Sequence, residues 1–461
     1  MPSHRIAVIG GVAAGPAAAA QAARTDPRAD VVLFEQGPEI SYGACEMPYV
    51  LAGWIDALDD LIVLTPEEFE ATRGAKVRVG HAVLGLHPRR HRIDVKDVRT
   101  GQVTEERFDK VILAVGARAR MPDFDGADAA NVFPMRRLTD ARRLQRFLAA
   151  HPVRHVVILG GGYVGVEMAE AMHARSIRVT ILEPQGGLLN RYLDDALRPV
   201  IEEEVQRHGV QIRRERAVAF EQDRDGLVRA VRTDRGEKIG CQAVVVAMGV
   251  EPNTALARAA GVRVGATGAL AVDAGMRTNV PGIWACGDCI EVERVIDGRA
   301  IHLPLSPVAF RTARVAAENA ARRGQGRPAR FPGVCAASAV KVFGLEVAAV
   351  GLRLAEAQDA GFDALAHTVR HWSRVAIYPG AERVYVRLVV ERRSGRLLGG
   401  ELVGREGAAL RADVLVPLVR AGATVHDLRD LDLIYTPPFA PSLDPLIVAA
   451  NESIKQLAGS R

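Results

Sequence analysis

Residues 156–165 read Val-Val-Ile-Leu-Gly-Gly-Gly-Tyr-Val-Gly, a short apolar run that leads into a glycine-rich turn. The turn has the GxGxxG spacing at Gly160, Gly162 and Gly165, a helix is predicted to about Arg175, and a second apolar run ends on Glu183. Small residues let the backbone approach a pyrophosphate at the start of a helix, and a carboxylate after the second strand accepts the ribose hydroxyls. The stretch therefore predicts a strand–helix–strand unit that binds a dinucleotide.

The same pattern occurs 150 residues earlier, near the start of the chain. An apolar strand at 5–9 precedes a turn whose small residues are Gly10, Val12, Ala13 and Gly15, with Val12 where the middle glycine usually stands. An Ala-rich helix follows, and a strand at 31–34 ends on Glu35. One such motif is weak, but two copies with matching strands and acidic residues predict an α/β protein with two Rossmann-like dinucleotide-binding domains.

Glu183 also bears on which nucleotide binds to the second unit. A carboxylate at this position accepts a hydrogen bond from the free 2′-hydroxyl of NAD and repels the 2′-phosphate of NADP. Residues 184–187 (Pro-Gln-Gly-Gly) supply no arginine or lysine for that phosphate. The sequence therefore favours NADH and disfavours NADPH.

A third segment indicates what the first unit binds. Residues 278–288 read Thr-Asn-Val-Pro-Gly-Ile-Trp-Ala-Cys-Gly-Asp and end on Gly287 and Asp288. Here the chain resembles the FAD-dependent pyridine nucleotide–disulfide oxidoreductases, in which this aspartate bonds to the ribityl chain of the flavin. Residues 113–117 and 246–249 resemble the segments that cross between the two nucleotide domains of that family. The resemblance extends over essentially the whole chain.

The resemblance implies a domain organisation and further cofactor contacts. An FAD-binding domain (1–120 and 250–327) is expected to be split around an NAD(P)H-binding domain (121–249), and a C-terminal α+β dimerisation domain (328–461) is expected to follow. Besides the two glycine turns and their acidic residues, the expected cofactor contacts are Val83, Ala114, Gly116, Arg136 and Gly249. Tyr163 is expected to act as a movable lid on the nicotinamide pocket.

Cys45 lies in the segment Ser-Tyr-Gly-Ala-Cys-Glu-Met-Pro-Tyr at 41–49, and no second cysteine occurs before Cys241. The segment resembles the single-cysteine branch of the family, which comprises coenzyme A disulfide reductases, NADH peroxidases, NADH oxidases and persulfide reductases. The resemblance implies that Cys45 is the redox-active residue. Glu46 should raise the pKa of its thiol and a helix N-terminus should lower it, so the sequence leaves the net effect open.

Two features separate the members of that branch. Peroxidases and oxidases carry a histidine in the first glycine turn, where this chain has Ala13, and the turn is similar to that of coenzyme A disulfide reductases. The resemblance implies that coenzyme A contacts lie at Gln21, Arg24, Ser41, Arg73 and Arg311. It also implies that Tyr435 and Tyr378 are delivered to the active site by the partner subunit of a homodimer.

Composition argues against several other classes of function. The net charge is +5, with no basic tail or aromatic-rich arginine run, so no nucleic-acid partner is expected. Apolar runs are too short for a membrane span, and the few scattered cysteines indicate a reducing compartment, so a soluble cytoplasmic protein is expected. Cys286 and Cys289 form a CxxC without a second ligand pair, so they are interpreted as packing residues, as are Cys241 and Cys335, and no metal is expected.

The function predicted on this basis is an FAD-dependent, NADH-linked reductase that acts through Cys45 on coenzyme A disulfide, coenzyme A persulfide or polysulfide. One alternative is an NADH oxidase or peroxidase in which the cysteine cycles through a sulfenic acid. The other alternative is a flavoprotein that reduces a protein electron carrier, for which Cys45 would be dispensable.

Overall fold

The computed structural model describes residues 4–324 and 326–459. The first part of the chain contains β1 (Arg5–Ile9), α1 (Ala14–Thr25), β2 (Asp30–Phe34), α2 (Met47–Ala52), α3 (Pro66–Arg73), β3 (Lys76–Arg78), β4 (His81–His87), β5 (Arg92–Asp97), β6 (Val103–Arg107), β7 (Lys110–Leu113) and β8 (Ala117–Ala119). The next part contains β9 (Val132–Pro134), α4 (Leu138–Ala150), β10 (His155–Leu159), α5 (Tyr163–Ala174), β11 (Arg178–Leu182), α6 (Arg198–Arg207), β12 (Gln211–Arg213), β13 (Ala217–Gln222), β14 (Val228–Thr233), β15 (Lys238–Gly240) and β16 (Ala243–Val246).

The chain then returns to the first part and continues into a third. The returning elements are β17 (Val250–Pro252), α7 (Ala255–Ala259), β18 (Ile283–Ala285), β19 (Val292–Glu293), β20 (Ala300–Ile301) and α8 (Ser306–Ala321). The last part contains β21 (Ser338–Val342), β22 (Leu345–Gly351), α9 (Leu354–Asp359), β23 (Ala364–Trp372), β24 (Arg383–Glu391), β25 (Leu397–Gly404), α10 (Ala408–Ala421), α11 (Val425–Arg429) and α12 (Pro445–Gly459).

Two five-stranded parallel sheets form the nucleotide-binding part of the molecule. Their strand orders are β18-β7-β1-β2-β3 and β12-β11-β10-β16-β9, so β1 and β10 are the central strands and each precedes a glycine turn. Since ligands bind at the carboxyl ends of parallel strands, both turns lie at the functional edges of their sheets. The antiparallel pair β8–β17 joins the two halves where the chain crosses between them.

In the sequence, the strands of the first sheet come partly before and partly after those of the second sheet: β18, which follows the second sheet, pairs with β7. A separate antiparallel sheet, in the order β21-β22-β25-β24-β23, forms the C-terminal part, where α10 packs on β22 and β25. The predicted fold class is therefore confirmed, while the exact domain bounds stay a prediction. No helix among the described residues is long and apolar enough to span a membrane.

The Ala-rich composition of α1 is explained by its packing against α8. Ala18, Ala19 and Ala22 on α1 and Ala313 and Ala317 on α8 are fully buried. Small side chains allow two helices to approach closely over their whole contact. This packing holds the N-terminus of α1 against the first sheet and brings α8 alongside the same ligand site.

Candidate active site

The glycine turn after β1 requires glycine for two separate reasons. Gly10 has φ +109°, and a Cβ there would lie 2.2 Å from the carbonyl oxygen of Ala114. A Cβ on Gly15 would lie 1.6 Å from the carbonyl oxygen of Gly10. The turn is therefore held between β7 and the first turn of α1, with its backbone exposed to any ligand at the edge of the sheet.

Glu35 directly follows β2, and its carboxylate fixes the loops on either side of this turn. It accepts hydrogen bonds from the backbone N–H groups of Gly11 and Gly37, each at 2.7 Å. Glu183 does the same after β11, accepting from Gly161 at 2.8 Å and Gln185 at 3.0 Å. The two acidic residues thus have equivalent geometry in the two nucleotide-binding units.

A cavity of about 850 Å³ opens at the edge of the first sheet. It brings together most of the predicted flavin contacts and most of the predicted coenzyme A contacts with the cysteine: Gly10, Val12, Ala13, Glu35, Ala114, Gly116, Arg136, Asp288, Gln21, Arg24, Ser41, Arg73 and Cys45. Its volume lies near the upper end for cofactor pockets, and a glycine turn, a ribose-binding carboxylate and an Arg–Asp pair line it. These residues fit an FAD molecule, and Cys45 lines the same cavity.

Several predicted contacts lie outside the lining of this cavity. Gly15 lies beneath the turn, Gly287 is buried against α1, and Val83 pairs with Val95 between β4 and β5. Gly160, Gly162, Tyr163, Gly165, Glu183 and Gly249 belong to the second nucleotide-binding unit. Of these, Gly160 repeats the geometry of the first turn, with φ +105° and a Cβ that would lie 2.4 Å from the carbonyl oxygen of Ala247.

Arg136 and Asp288 form an ion pair in the wall of the cavity. Arg136 is held in place because its Nε donates to the carbonyl of Ala117 at 3.1 Å. Gly287 has φ +75°, and a Cβ on it would lie 2.8 Å from the Cβ of Ala14. The Gly–Asp sequence therefore lets the chain pass close to α1 and presents the carboxylate of Asp288 to the cavity.

Tyr163 is the first residue of α5 and contacts two other parts of the chain. Its hydroxyl lies 2.6 Å from the Ser338 hydroxyl on β21, and its ring stacks on Tyr192 with centroids 3.8 Å apart. Burial raises the pKa of the Tyr163 phenol, so it stays neutral. The predicted lid is thus held in one position against the C-terminal sheet and a loop of the second unit.

Cys45 lies in the loop before α2, and its side chain is exposed to the cavity. Much of its surroundings is protein rather than water, and this loss of hydration is the main cause that raises the pKa of its thiol. The carboxylates of Glu46 and Glu167 raise the pKa further, while Arg136 lowers it. Of the two influences expected from the sequence, that of Glu46 therefore acts on the thiol, and helix α2 after it is only six residues long.

The predicted coenzyme A contacts converge on the outer part of the cavity, with one exception. On α1, Arg24 donates to the side-chain oxygen of Gln21 at 2.7 Å. Arg73 ends α3, and Ser41 has the strained φ of +49°. The exception is Arg311, which does not line the cavity: its guanidinium donates to the carbonyl of Gly333 at 3.2 Å and lies over the ring of Phe331.

Other residues of α8 line the cavity instead of Arg311, and the sequence did not predict them. They include Phe310 and Arg314, and the side chain of Arg314 pairs with Glu318 at 3.0 Å. Glu318 also accepts from Gln21 at 3.4 Å and so connects α8 to α1. A helical wheel of α8 could have indicated this face, because Val308, Ala309 and Thr312 mark the buried side.

Tyr378 and Tyr435 lie on the surface of the C-terminal part and line neither of the two larger cavities of their own chain. They are 38% and 56% exposed, and Ile377, Ile434 and Phe439 beside them in sequence are 94%, 83% and 72% exposed. Exposed apolar residues at this density are typical of a protein interface. A role of the two tyrosines at Cys45 therefore requires a second subunit.

The other four cysteines are buried free thiols. Cys289 donates to the carbonyls of Cys286 at 3.2 Å and Leu113 at 3.6 Å, and burial raises its pKa to about 12. Such a thiol is a packing residue rather than a nucleophile. In the described part of the chain, one group of side chains comes within reach of a shared metal ion, His87, Asp94 and Glu105, and Glu105 is already paired with Arg92.

A second cavity of about 600 Å³ also reaches Cys45. It is lined by Glu46, Tyr49 on α2 and Glu167 on α5, together with residues of β21, β22 and the start of α10. The hydroxyl of Tyr49 donates to Glu167 at 3.4 Å. Burial raises the pKa of Glu167 to about 7 and that of Tyr49 to about 12. Cys45 therefore lies at the junction of two cavities of different chemical character.

Comparisons with known proteins agree with this geometry. A CoA-dependent NAD(P)H sulfur oxidoreductase of Pyrococcus abyssi is 35% identical over 446 residues, which is 97% of each chain. The structure of an NAD-dependent persulfide reductase from A. fulgidus superposes with a TM-score of 0.94 at 31% identity, covering 99% of this chain and 84% of that one. The reduced CoADR-RHD protein of Bacillus anthracis also gives 0.94, at 29% identity, covering 100% of this chain and 81% of that one.

Two family models match the chain in succession. Residues 4–320 match the pyridine nucleotide-disulphide oxidoreductase model, and residues 337–446 match the dimerisation domain of the same family. The predicted enzyme class and its use of FAD and a pyridine nucleotide are thereby confirmed. On these matches and on the two glycine turns, the chain belongs to the pyridine nucleotide-disulphide oxidoreductases.

Proposed function

We propose that this protein uses NADH to reduce coenzyme A disulfide, coenzyme A persulfide or polysulfide, with Cys45 as its redox-active residue. One observation carries the proposal: an exposed cysteine shares a single cavity with a flavin-binding turn and with Gln21, Arg24 and Arg73. The other four cysteines are at most 6% exposed, so Cys45 works as a single thiol. The proposal is in line with the P. abyssi relative, which is named a CoA-dependent NAD(P)H sulfur oxidoreductase.

The first unit holds FAD and the second holds the nicotinamide nucleotide in this proposal. Glu35 would bind the adenosine ribose of FAD, the turn at Gly10 its pyrophosphate, and Asp288 its ribityl chain. Bound FAD supplies two-electron transfer from NADH to a disulfide at Cys45. Glu183 would bind the NAD ribose and select NADH over NADPH. Displacement of Tyr163 from its contact with Ser338 would open the nicotinamide pocket.

The reaction at Cys45 is thiol–disulfide exchange. The Cys45 thiolate attacks one sulfur of the acceptor, forms a mixed disulfide and expels a thiolate that takes up a proton. Two electrons and one further proton then cleave the mixed disulfide and return Cys45 to its reduced form. The net reaction consumes one NADH and one proton from solvent and yields two thiols for each disulfide.

The outer part of the cavity would bind the nucleotide end of coenzyme A. Arg24 and Arg73 would contact its phosphates, and Ser41 lines the same cavity. In a homodimer, Tyr435 of the partner subunit, with its Tyr378, would protonate the leaving thiolate. The free thiols fit a reducing compartment such as the cytoplasm.

Anaerobic turnover with NADH and each acceptor tests the proposal. The wild-type protein is expected to reduce coenzyme A disulfide or persulfide, and a Cys45→Ser variant that still binds FAD is expected to lose this activity. Full activity of Cys45→Ser would refute the proposal and favour a reductase of a protein electron carrier. Substantial NADH oxidation by oxygen alone would favour the oxidase alternative, against which Ala13 in the turn argues.

A further inference from the structure

The second cavity gives Cys45 a connection to solvent that differs from the flavin cavity. Its wall contains five ionisable side chains besides the cysteine and Tyr49, namely Glu46, Glu167, Glu346, Lys341 and Arg405. The flavin cavity also contains charged side chains, but in addition it has the glycine turn at Gly10, where backbone and small side chains leave space for a nucleotide. The residues that line the second cavity include no such turn, so its charged groups can exchange protons with water.

After Glu46, which is adjacent to Cys45 in sequence, Glu167 is the carboxyl of this cavity that most affects the Cys45 thiol. It lies on α5, four residues after Tyr163, and α5 packs on α2, which begins two residues after Cys45. This packing allows the Tyr49 hydroxyl to donate to Glu167 across 118 residues of sequence. Glu167 is therefore fixed beside the cysteine by contacts between the two nucleotide-binding units.

The charges around Glu167 favour exchange of a proton. Its pKa is raised to about 7, mainly by burial and also by the nearby Glu170, although the hydrogen bond from Tyr49 stabilises the ionised form. Lys341 on β21 pairs with Glu170 and not with Glu167. The remaining charged groups of the cavity wall are Glu46 in the Cys45 loop, Glu346 on β22 and Arg405 after β25.

The influence between Glu167 and Cys45 is mutual. The carboxylate of Glu167 is one of the charges that raise the pKa of the Cys45 thiol. By linkage, a thiolate on Cys45 must equally increase the affinity of Glu167 for a proton. Ionisation of either group therefore disfavours ionisation of the other.

We propose that Glu167 exchanges a proton with solvent through the second cavity so as to balance the charge on Cys45 during turnover. When Cys45 becomes a thiolate, Glu167 takes up a proton from the cavity. When the sulfur enters a mixed disulfide and loses its charge, Glu167 releases that proton. Glu167 acts through Cys45 and is a positioning residue, and the inference rests on the proposed role of Cys45 as the redox thiol.

The test measures the reactivity of Cys45 itself, without any acceptor. The FAD-loaded protein is reduced anaerobically with NADH, and the rate at which iodoacetamide alkylates Cys45 is followed by mass spectrometry from pH 5.5 to 9. Because alkylation requires the thiolate, the rate reports the thiolate fraction at each pH. The variants are Glu167→Gln, which keeps a hydrogen-bonding group without the charge, and Glu346→Gln.

The expected result is a pH-dependent difference between Glu167→Gln and wild type. Below the pKa of Glu167 both proteins are neutral at this position, so their rates should agree. Above it the wild-type carboxylate suppresses the Cys45 thiolate, so the variant should react faster, by about tenfold at pH 8, which is the usual order of effect of one nearby like charge. Glu346→Gln removes a charge from the same cavity, where Glu346 accepts from Ala409, and should follow the wild-type profile.

Two outcomes would overturn the inference. One is a rate ratio of Glu167→Gln to wild type that stays constant over the pH range, as a merely structural effect would give. The other is an equal change in Glu346→Gln. If Glu167→Gln does not fold, Tyr49→Phe serves instead: loss of its hydrogen bond should move the transition to higher pH, and an unmoved transition would count against the proposal. Failure of every coenzyme A acceptor would refute the proposed function without affecting this measurement.

Discussion

Replacement of Arg24 by alanine tests whether the outer part of the flavin cavity binds the nucleotide end of coenzyme A. Arg24 is exposed in the last turn of α1, and its guanidinium is oriented by a 2.7 Å hydrogen bond to Gln21. A charge-assisted contact to a phosphate contributes roughly 1.5–3 kcal/mol, and exposure to solvent places this one near the lower end. Arg24→Ala should therefore lower kcat/KM for coenzyme A disulfide about tenfold.

The same variant should reduce polysulfide at the wild-type rate, because a small acceptor does not reach α1. Arg28→Ala is the matched control: Arg28 follows α1, is 72% exposed and does not line the cavity. Both acceptors are assayed anaerobically with NADH at low and high salt, and the difference between wild type and Arg24→Ala should shrink as salt screens the contact. Equal slowing of both acceptors by Arg24→Ala, or an equal effect of Arg28→Ala, would refute the assignment.

Three further predictions concern the cofactors and the assembly. The wild-type kcat/KM should be higher with NADH than with NADPH, and Glu183→Ala should reduce that difference. Equal kcat/KM values for the two nucleotides in the wild type would show that the Glu183 carboxylate does not distinguish their riboses. Gly287→Ala should lower the flavin content per chain measured by visible absorbance, since its Cβ would lie 2.8 Å from that of Ala14; an unchanged content would contradict the role given to this close approach. Light scattering should find a homodimer, and Tyr435→Phe should slow acceptor reduction without slowing flavin reduction by NADH; an active monomer would exclude a shared site.

The nucleotide-binding turns could be predicted because their requirements are local. At Gly10 and Gly160 the backbone has a positive φ and a carbonyl oxygen lies close by, so only glycine fits. The strand before each turn and the carboxylate after it both lie within about 25 residues of that turn. Glu35 and Glu183 bind the backbone of their own turns, so sequence spacing is enough to identify them. The fold class follows, because each turn requires a parallel sheet and a helix around it.

Residues whose roles depend on packing between distant elements could not be predicted in the same way. Arg311 and Arg314 lie on one helix, and only the packing of α8 against α1 decides that Arg314 faces the cavity while Arg311 points to Gly333. The contact between Tyr49 and Glu167 depends on α2 meeting α5, for which the sequence carries no spacing signal. Tyr435 could be identified only through the resemblance to a family, since its contacts within the described part of the chain suggest no role.

The position of Cys45 between two cavities separates the movement of electrons from the movement of protons. The flavin cavity is lined by a nucleotide-binding turn and by arginines, so in the proposed reaction electrons from NADH and the thiol substrate meet there. The second cavity is lined by carboxylates and basic side chains that water can reach. Because the pKa of Cys45 is raised, its thiolate is costly unless a nearby negative charge is removed when it forms. Glu167, whose pKa is about 7, can take up a proton and lose its charge at neutral pH. An acidic residue near a nucleophilic cysteine is therefore compatible with formation of the thiolate.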